Sequence, residues 1–391
     1  MNLYEYEAKE ILAQYGVPMP DGRIASTPEE AEAAAKALPG HKVGVKAQIL
    51  AGGRGLAGGV ELAPAPSKVA AIAKRMLGTR LVTQQTGPEG EAVDRVYVET
   101  AVESERDFFL AVLVDQAEAR IVVLGSQSGG VDFEDRVARD PQIVETLPVN
   151  PDGSIDDDDC IAFLDRLGIG GAAVDQAREI IAALITVFRR IDATLIEINP
   201  LTLTRDGTFS AVDAKVSIDN NALFRHPEFA GLASSAGGDE IEMQAQKDEI
   251  NLVRLGGNTG VVVNGAGLAL ATQDMIADAG GRAANFMDIR TTATSLQVAR
   301  GIGILLNDPA VKSILVNVHG GGMTPCDTIA EALALALAWS DRKVPVVTRL
   351  AGHNADYARQ MLVDRNVPHL RCDTIAEAID AAIDAATSRA A

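Results

Sequence analysis

The fold of this chain is most constrained by its last third, where short buried-looking strands alternate with helical stretches. Beyond about residue 250, each strand is an apolar run of four to seven residues, and most runs precede a stretch with helical periodicity. This βαβα order is typical of a doubly wound parallel sheet. The predicted strands are Thr259–Val263, Ala283–Asp288, Ser313–Val318, Val344–Leu350 and His369–Cys372.

The preceding part of the chain lacks this regular alternation. It begins with a predicted amphipathic helix, because apolar residues recur on one helix face from Tyr4 to Tyr15 and Gly16 follows. Strands and helices are then mixed, which is typical of an α+β fold. The β-rich runs are Val43–Ile49, Arg80–Gln84, Arg95–Thr100, Phe108–Asp115, Arg120–Leu124, Thr194–Ile198 and Phe209–Asp213.

These two patterns predict two domains. The 391 residues, 47% of them hydrophobic, are enough for two or three cores at about 150 residues per domain. A small and polar segment near Ser235–Gly238 separates the two patterns. We therefore expect one domain over residues 1–237 and a second over residues 238–391.

Charge and cysteine content exclude several classes of partner. Lys and Arg number 35 and Asp and Glu 54, so the net charge is −19, which argues against a nucleic acid or an anionic membrane as partner. The three cysteines have no metal-ligand spacing, which favours a reducing cytoplasm. The start has no signal-peptide pattern, and no uncharged run is long enough to span a membrane. Any phosphate site must therefore be a local basic pocket.

The segment VGVKAQILAGGRGLAGGV is a candidate for such a pocket. It places Lys46 in an apolar strand and then surrounds Arg54 with glycines, including Gly53. A glycine-rich turn brings backbone N–H groups close to phosphate oxygens, and the two cations supply positive charge. It is not a Walker P-loop, because no GK[ST] sequence closes it. The alternative is a flexible hairpin with incidental basic residues.

Oxygen-bearing side chains follow later strands in an order that supports the phosphate interpretation. Glu99 ends a strand whose backbone can pair with an adenine edge, and Asp107 follows where it can hold a ribose hydroxyl. Glu197 and Asn199 share one face of a strand, and Asp213 ends the next. Asn199 and Asp213 offer oxygen ligands suited to Mg²⁺. Each acid alone is more typical of an ordinary surface, but the ordered set resembles the ligands of an ATP-grasp fold.

The whole sequence resembles the β subunit of succinyl-CoA synthetase, also called succinate–CoA ligase. The matching stretches are MNLYEYEAKEILAQYGVP, VKAQILAGGRGLAGGV, RLVTQQTG, IEINPL, DNNALFRHPE, VVVNGAGLALATQDMI, ANFMDI and ILVNVHGG. The resemblance implies an N-terminal ATP-grasp domain followed by a flavodoxin-like CoA-ligase domain. It also implies a hetero-oligomer, in which an α subunit carries the phosphorylated histidine and binds CoA.

The resemblance also implies a role for each candidate residue. Glu197 matches an acid that orients the partner's histidine for phosphoryl transfer, and Pro20 matches a position typical of enzymes that use ATP. Asn264 opens a strand-to-helix loop that can hold a substrate carboxylate, although a tight packing turn is the alternative. The residues implied around the nucleotide are Lys46, Gly53, Arg54, Glu99 and Asp107; those implied around Mg²⁺ are Asn199 and Asp213.

Two departures from the family pattern fall on the site for the organic acid. Where the family has D-x-G-G-G, this chain has Asp288 followed by Ile289, Arg290, Thr291 and Thr292. The loop from His319 to Cys326 is one residue longer than the family's and altered. Leu56 and Asp107 also replace a common lysine and glutamate. The residues we expect to bind the acid are Asn264, Arg290, His319, Gly320, Gly321, Gly322 and Met323.

We therefore expect the nucleotide-binding subunit of an ADP-forming acid–CoA ligase of the succinate type. One alternative is a ligase for malate or another hydroxy- or sulfo-acid, because the acid loops differ. A second is a regulatory subunit that binds nucleotide without turnover. None of the five histidines lies in a loop suited to a phosphohistidine, and His319 is expected to donate a hydrogen bond to substrate unless it is an incidental loop residue.

Overall fold

The computed structural model describes residues 1–233 and 240–388. The chain divides into two compact units, Met1–Gly237 and Gly238–Ala391. The boundary that the sequence predicts, Ser235–Gly238, lies outside the described residues. Within the described ranges, no helix is both long and apolar enough to cross a lipid bilayer.

The first unit combines antiparallel strands with helices and short 3₁₀ turns. Its strands are β1 (Gly22–Ala25), β2 (Val43–Ala47), β3 (Val60–Ala63), β4 (Arg80–Leu81), β5 (Glu91–Ala92), β6 (Val96–Thr100), β7 (Ser104–Asp115), β8 (Arg120–Ser126), β9 (Glu145–Pro148), β10 (Ala193–Thr204), β11 (Phe209–Ala211) and β12 (Ala214–Ile218). Its α-helices are α1 (Glu5–Gln14), α2 (Pro28–Ala37), α3 (Val69–Met76), α4 (Phe133–Arg139), α5 (Asp157–Arg166), α6 (Ala173–Arg190) and α7 (Ala230–Ala233). The 3₁₀ turns are Pro66–Lys68, Pro141–Ile143, Asn220–Arg225 and Pro227–Phe229.

Two antiparallel sheets organise the first unit, and each has its own core. The smaller sheet has the order β1-β6-β2-β3, and its core includes residues of α2 and α3. The larger has the order β11-β10-β7-β8-β9, with β12 also paired to β10, and its core includes residues of α1, α5 and α6. The predicted α+β character of this part is confirmed. The run predicted from Arg80 to Gln84 is only a two-residue strand, whereas the run predicted from Thr194 continues to Thr204.

The second unit is a doubly wound sheet. Its strands are β13 (Asn251–Arg254), β14 (Thr259–Asn264), β15 (Asn285–Ile289), β16 (Ser313–Gly320), β17 (Val346–Gly352) and β18 (Leu370–Arg371). Its helices are α8 (Glu240–Lys247), α9 (Ala266–Asp278), α10 (Ser295–Asn307), α11 (Cys326–Trp339), α12 (Ala355–Asp364) and α13 (Ile375–Thr387).

Strands β14 to β18 are parallel and lie in the order β15-β14-β16-β17-β18. This is the flavodoxin-like order, so the predicted fold is confirmed. The sequence analysis missed the edge strand β13, which pairs antiparallel with β15. Cores on the two faces include residues of α10, α11 and α12 on one side and of α9 and α13 on the other. Parallel strands place their carboxyl ends at one edge, where loops can form a binding site.

The starts of two helices in the second unit are fixed by side-chain caps. Thr294 and Gln297 form a capping box at α10, and Thr374 and Glu377 form one at α13. In each box the threonine hydroxyl accepts from a backbone N–H of the first turn. These bonds satisfy donors that the helix itself leaves unpaired. The cap at Thr294 also fixes where the segment after β15 ends and α10 begins.

Candidate functional site

A cavity of about 230 Å³ in the first unit brings together residues of both sheets. Strand β2 and its following loop contribute one part of the lining, and strands β10 and β12 contribute another. The charged and amide side chains that line it are Glu5, Lys46, Arg54, Gln85, Glu134, Glu197, Asn199, Asp213 and Lys215. Gly52, Gly53 and Gly55 line it through the glycine-rich loop. Residues more than 200 positions apart in the sequence therefore meet at one place.

Lys46 lies in β2, all of whose residues are buried. Its Nζ is 2.9 Å from a carboxylate oxygen of Glu5 and 2.6 Å from one of Glu99, and it donates to the Val212 carbonyl at 2.6 Å. Burial alone lowers the pKa of an amine, but the neighbouring carboxylates outweigh it and hold the pKa of Lys46 above its ordinary value. Lys46 is therefore a fixed positive charge in the wall of the cavity.

Arg54 extends from the glycine-rich loop and is held at both of its terminal nitrogens. Its Nη1 donates to the Ala47 carbonyl at 3.0 Å and is 2.8 Å from Glu5 Oε2. Its Nη2 donates to both carboxylate oxygens of Asp213, at 2.8 and 2.9 Å. Burial opposes the charge, but Asp213 and Glu5 raise the pKa of the guanidinium, so Arg54 stays ionised.

Glycine is required at two points of the loop between β2 and β3. Gly53 has a φ of +75°, which side chains on L residues rarely adopt. At Gly59, a Cβ atom would lie 2.5 Å from the Leu81 side chain and 3.2 Å from the Arg54 carbonyl oxygen. The loop therefore holds Arg54 in place through backbone geometry that glycine allows. Among the loop amides, Gly52 N–H already donates to Gln85 Oε1 at 2.9 Å.

The sequence analysis missed two residues of α1 that complete this charge arrangement. Glu5 and Lys9 are only 3% and 2% exposed, and Lys9 contacts both Glu5 and Glu99. A Glu and a Lys four residues apart are typical of an ordinary pair on a helix surface. The available signal was that Glu5, Ala8, Lys9 and Leu12 share one helix face, and that face is buried. We call Glu5, Lys9, Lys46, Arg54, Glu99 and Asp213 the buried ion network.

Glu197, Asn199 and Asp213 meet where β10 pairs with β12. Asn199 N–H donates to the Asp213 carbonyl at 3.2 Å, and Glu197 lies opposite Lys215 in the strand register. Burial raises the pKa of Glu197, and the nearby Glu134 and Asp213 carboxylates raise it further, although Lys215 opposes them. A carboxyl group with a raised pKa that faces a cavity is typical of a group that handles protons.

The predicted magnesium ligands fit that ion in type and number. Asn199 and Asp213 are neighbours that line the cavity, and Mg²⁺ favours one or two protein oxygens together with phosphates and water. In the described part of the chain, no cluster of three or more His, Cys, Asp or Glu forms a closed metal site. Asn199 Oδ1 accepts from Gly130 N–H at 2.6 Å, and Asp213 accepts from Arg54. The side-chain oxygens of both predicted ligands therefore already accept hydrogen bonds from donors within the chain.

Two predicted nucleotide residues lie outside the cavity lining. Glu99 is 2% exposed, and its carboxylate is paired with Lys9 and Lys46. Asp107 accepts from Ser104 Oγ at 2.8 Å and from Thr202 Oγ1 at 2.6 Å. Their contacts with a nucleotide remain predictions, and Glu99 has in addition an electrostatic role in holding Lys46.

In the second unit, Asn264 lies at the carboxyl end of β14 and fixes the neighbouring loop. Its Nδ2 donates to the His319 carbonyl at 2.8 Å, and the His319 N–H donates to its Oδ1 at 2.9 Å. The next residue, Gly265, has a φ of +92° and donates its N–H to Asp288 at 2.6 Å. The structure therefore brings Asn264, His319 and the segment after β15 to one edge of the sheet.

The predicted acid loop is closed at its base and open at its tip. The Gly320 carbonyl accepts from the His353 N–H at 2.9 Å at the base of the loop, where a Cβ on Gly320 would lie 2.6 Å from the His353 carbonyl oxygen. Gly321, Gly322 and Met323 are exposed, and Met323 retains 70% of its accessible surface. The tip therefore has room to contact a small molecule.

Arg290 stands beside this loop. It is exposed, and it forms no ion pair or hydrogen bond through its side chain with any residue in the described ranges. The neighbouring Thr291 carbonyl accepts from Thr324 Oγ1 at 3.4 Å, which joins the two segments that depart from the family pattern. Asp288, two residues before Arg290, accepts from the Gly265 N–H.

Family models match both halves of the chain. A model described as an ATP-grasp domain matches residues 2–203, and a model described as CoA-ligase matches residues 262–383. The cavity lies mainly within the first match, and the loops around Asn264, Arg290 and His319 lie within the second.

Curated relatives match the chain over its full length. The chain is 41% identical over 389 residues to "succinate–CoA ligase (ADP-forming) subunit beta" of Ralstonia nicotianae, with 100% of each protein covered. The proteins of the same name from Cupriavidus taiwanensis and Parvibaculum lavamentivorans are 41% and 40% identical, covering 100% and 98% of this chain and 100% and 99% of their own lengths.

A solved structure supports the fold independently. An ATP citrate lyase from Methanothrix soehngenii, solved with citrate and coenzyme A, superposes with a TM-score of 0.74. It covers 98% of this chain and 99% of its own, at 16% identity. This similarity concerns the fold and not the residues of any site.

Proposed function

Because the chain belongs to the family of ADP-forming succinate–CoA ligase β subunits, we propose that it is the nucleotide-binding subunit of an acid–CoA ligase. In this reaction ATP, CoA and a small organic acid give acyl-CoA, ADP and phosphate. ATP phosphorylates a histidine of an α subunit, the phosphoryl group passes to the acid, and the CoA thiol displaces phosphate from the acyl phosphate. This chain contributes positioning and charge neutralisation.

The cavity of the first unit is the observation that carries this proposal. It combines two fixed cations, a glycine-rich loop, two neighbouring oxygen ligands and a carboxyl group with a raised pKa. Phosphoryl transfer needs these components, because its transition state has little covalent chemistry to assist and much charge to neutralise. Lys46 and Arg54 bind phosphate oxygens, and the loop at Gly53 approaches them through its backbone.

Asn199 and Asp213 would hold the Mg²⁺ that accompanies ATP. When bound, the ion neutralises charge on the phosphates and orients the γ-phosphate for transfer. Glu197 then acts as an oriented acceptor for the partner's histidine. Because burial raises its pKa, Glu197 is closer in proton affinity to an imidazole than an exposed glutamate is.

The position of the histidines supports a phosphoryl acceptor on another chain. None of the five, His41, His226, His319, His353 and His369, is among the residues that line the cavity. Both ring nitrogens of His226 are within hydrogen-bond distance of carboxylates, those of Asp192 and Glu228. A catalytic phosphohistidine therefore requires the α subunit, which makes the active protein a hetero-oligomer.

The loops of the second unit set the choice of acid. The exposed guanidinium of Arg290 offers up to five donors and a fixed charge. Such a group favours an acid with an additional carboxylate, hydroxyl or sulfonate over plain succinate. Asn264 and the tip residues from Gly320 to Met323 form the rest of this acid site. The cysteines Cys160, Cys326 and Cys372 are free thiols, which supports a cytoplasmic location.

The test is thioester synthesis by the chain purified together with its α subunit. With ATP and CoA supplied, a panel of succinate, malate, citrate and sulfonated acids should show release of ADP and phosphate equal to the acyl-CoA formed. Each chain alone should be inactive, although this chain alone should bind Mg-nucleotide. Robust acyl-CoA formation by this chain alone would contradict the assignment of the histidine to a partner.

A further inference from the structure

Asp213 is held at both carboxylate oxygens by one nitrogen of the Arg54 guanidinium, and this contact competes with its predicted role as a metal ligand. Arg54 Nη2 lies 2.8 and 2.9 Å from the two carboxylate oxygens, and 35% of the Asp213 side chain is exposed to the cavity. A Mg²⁺ ion binds carboxylate oxygen at about 2.1 Å, so it would lie within about 5 Å of Arg54 Nη2. With no anion between them, these two cations repel each other.

The buried ion network has no surplus positive charge for an incoming phosphate. Its three cations are matched by three carboxylates, and every cation already contacts at least one of them. A nucleotide phosphate chain that is to contact Lys46 or Arg54 therefore needs that cation to leave one of its present partners. Lys46 contacts two carboxylates that are 2–3% exposed, whereas Arg54 contacts Asp213, whose side chain is 35% exposed and is the most accessible carboxylate of the network.

Only one of the two terminal nitrogens of Arg54 needs to change its partner. Nη1 is anchored inside the protein by the Ala47 carbonyl and Glu5, while Nη2 makes the contact with Asp213. Breaking the Nη2 contact leaves the guanidinium charge compensated by Glu5. The exchange therefore avoids the cost of leaving an ion buried and unpaired.

We infer that the Arg54–Asp213 ion pair is an exchange pair, which opens when Mg-nucleotide binds. Asp213 passes to the metal and Arg54 Nη2 passes to a phosphate oxygen. Binding of the metal thus frees Arg54 for the phosphate, and binding of the phosphate frees Asp213 for the metal. Metal and nucleotide then bind with positive coupling, and by linkage each raises the affinity of the other by the same factor. Glu5 is the positioning residue, because it keeps Arg54 in place during the exchange. This inference rests on the proposed nucleotide-binding function.

The test measures the affinity of the complete two-subunit protein for ADP by calorimetry, once with Mg²⁺ and once with EDTA. Asp213→Asn removes the charge that holds Arg54 while keeping the shape of the side chain. In EDTA the variant should bind ADP about fivefold more tightly than the parent, the equivalent of one partly exposed ion pair. Its affinity should also become nearly independent of Mg²⁺.

Glu145→Gln is the matched control, because it removes the carboxylate of another partly exposed arginine pair, Glu145–Arg166, which does not line the cavity. It removes one negative charge and should leave both the ADP affinity in EDTA and the Mg²⁺ dependence close to those of the parent. Equal tightening by both variants would mean a general charge effect and would overturn the exchange. Unchanged or weaker binding of ADP by Asp213→Asn in EDTA would also overturn it.

A second measurement needs no nucleotide. Mn²⁺ titration followed by electron paramagnetic resonance should show tighter metal binding in Arg54→Gln than in the parent, because Asp213 is then free of its ion pair. An affinity for Mn²⁺ no higher in Arg54→Gln than in the parent would contradict the exchange. A parent complex that binds ADP under neither condition would overturn the proposed nucleotide site as well. An intact parent site with no gain in either variant would overturn the exchange alone.

Discussion

The two candidate binding regions of this molecule are built in opposite ways. In the first unit, ionised side chains from α1, β2, β6 and the glycine-rich loop are buried and paired with one another. In the second unit, Arg290 and Met323 are exposed at loops that are held at their base by backbone contacts and the Asn264 amide. A single change in the buried network unbalances its charges, whereas a single change at the loop tip does not. The nucleotide chemistry is therefore difficult to alter, and the acid specificity is easy to alter.

Lys46→Met should produce the largest effect, because it removes a cation and leaves Glu5 and Glu99 undercompensated. We expect ADP affinity to fall by about 100-fold or more, since a charge-assisted hydrogen bond contributes about 1.5–3 kcal/mol. Removing one member of a buried ion pair also costs about 3–5 kcal/mol of folding stability. Calorimetry and denaturant unfolding measure the two effects.

Lys68→Met is the control for Lys46→Met, because Lys68 is exposed and has no ion pair among the described residues. It should leave both ADP affinity and stability at the parental values. Equal behaviour of the two variants would break the distinction between a paired buried network and an ordinary charged surface.

Glu197→Gln should affect the chemical step and leave binding intact. With the carboxylate removed, the partner's histidine loses its acceptor, and phosphorylation should slow by about 10²-fold or more. ADP affinity should stay within about twofold of the parental value, because Glu197 is not part of the buried ion network. Rapid-quench measurement of histidine phosphorylation separates the two, and a parental rate would show that Glu197 is structural only.

Arg290→Gly should change the ratio of kcat/KM values between acids by about tenfold. An effect of this size is typical of one charge-assisted contact at a partly solvated site. The kcat/KM ratio of malate, citrate or a sulfonated acid to succinate should fall, while ADP affinity stays constant. Arg290→Lys keeps the charge but not the planar fork and should give an intermediate ratio. A preference for succinate in the parent that survives Arg290→Gly contradicts the role of Arg290.

The smallest expected effect concerns the stability of the first unit. Because burial raises the folded-state pKa of Glu197 above its unfolded value, the ionised form destabilises the protein, and this cost grows as pH rises through the interval between the two values. Glu197→Gln should therefore raise the melting temperature at pH 7 and leave it nearly unchanged at pH 4. We expect a gain of no more than about 2–4 °C, the shift produced by about 1 kcal/mol. An equal gain at both pH values would point to a cause other than ionisation.

The fold was largely predictable, because strand and helix order reflect local patterns. Strands β14 to β18 were predicted from short apolar runs, and their parallel pairing was predicted from the alternation of strands and helices, whereas the flavodoxin-like order was implied by the family resemblance. The edge strand β13 was missed, because its sequence NLVR is short and half polar. Strand β10 was predicted too short, since Pro200 interrupts an apolar run that nevertheless continues to Thr204.

The site was only partly predictable, because its residues are brought together by tertiary contacts. Lys46, Arg54, Glu197, Asn199 and Asp213 were predicted, and the structure brings all five to one cavity. The burial of Glu5 and Lys9 was missed, because charged residues on a short amphipathic helix are ordinarily solvated. Sequence patterns report which residues can pair on one helix, but not which residues of a distant strand approach it.

The most direct test of the account is to locate the phosphoryl group after one turnover. The two-subunit complex is mixed with Mg²⁺ and ATP labelled at the γ-phosphate, quenched at alkaline pH, and the labelled peptide is identified. We predict that the label lies on a histidine of the α subunit, that it appears in proportion to ADP, and that Lys46→Met abolishes it. Label on a residue of this chain, or labelling that persists in Lys46→Met, would contradict the assignment of the cavity as the site of nucleotide binding and phosphoryl transfer.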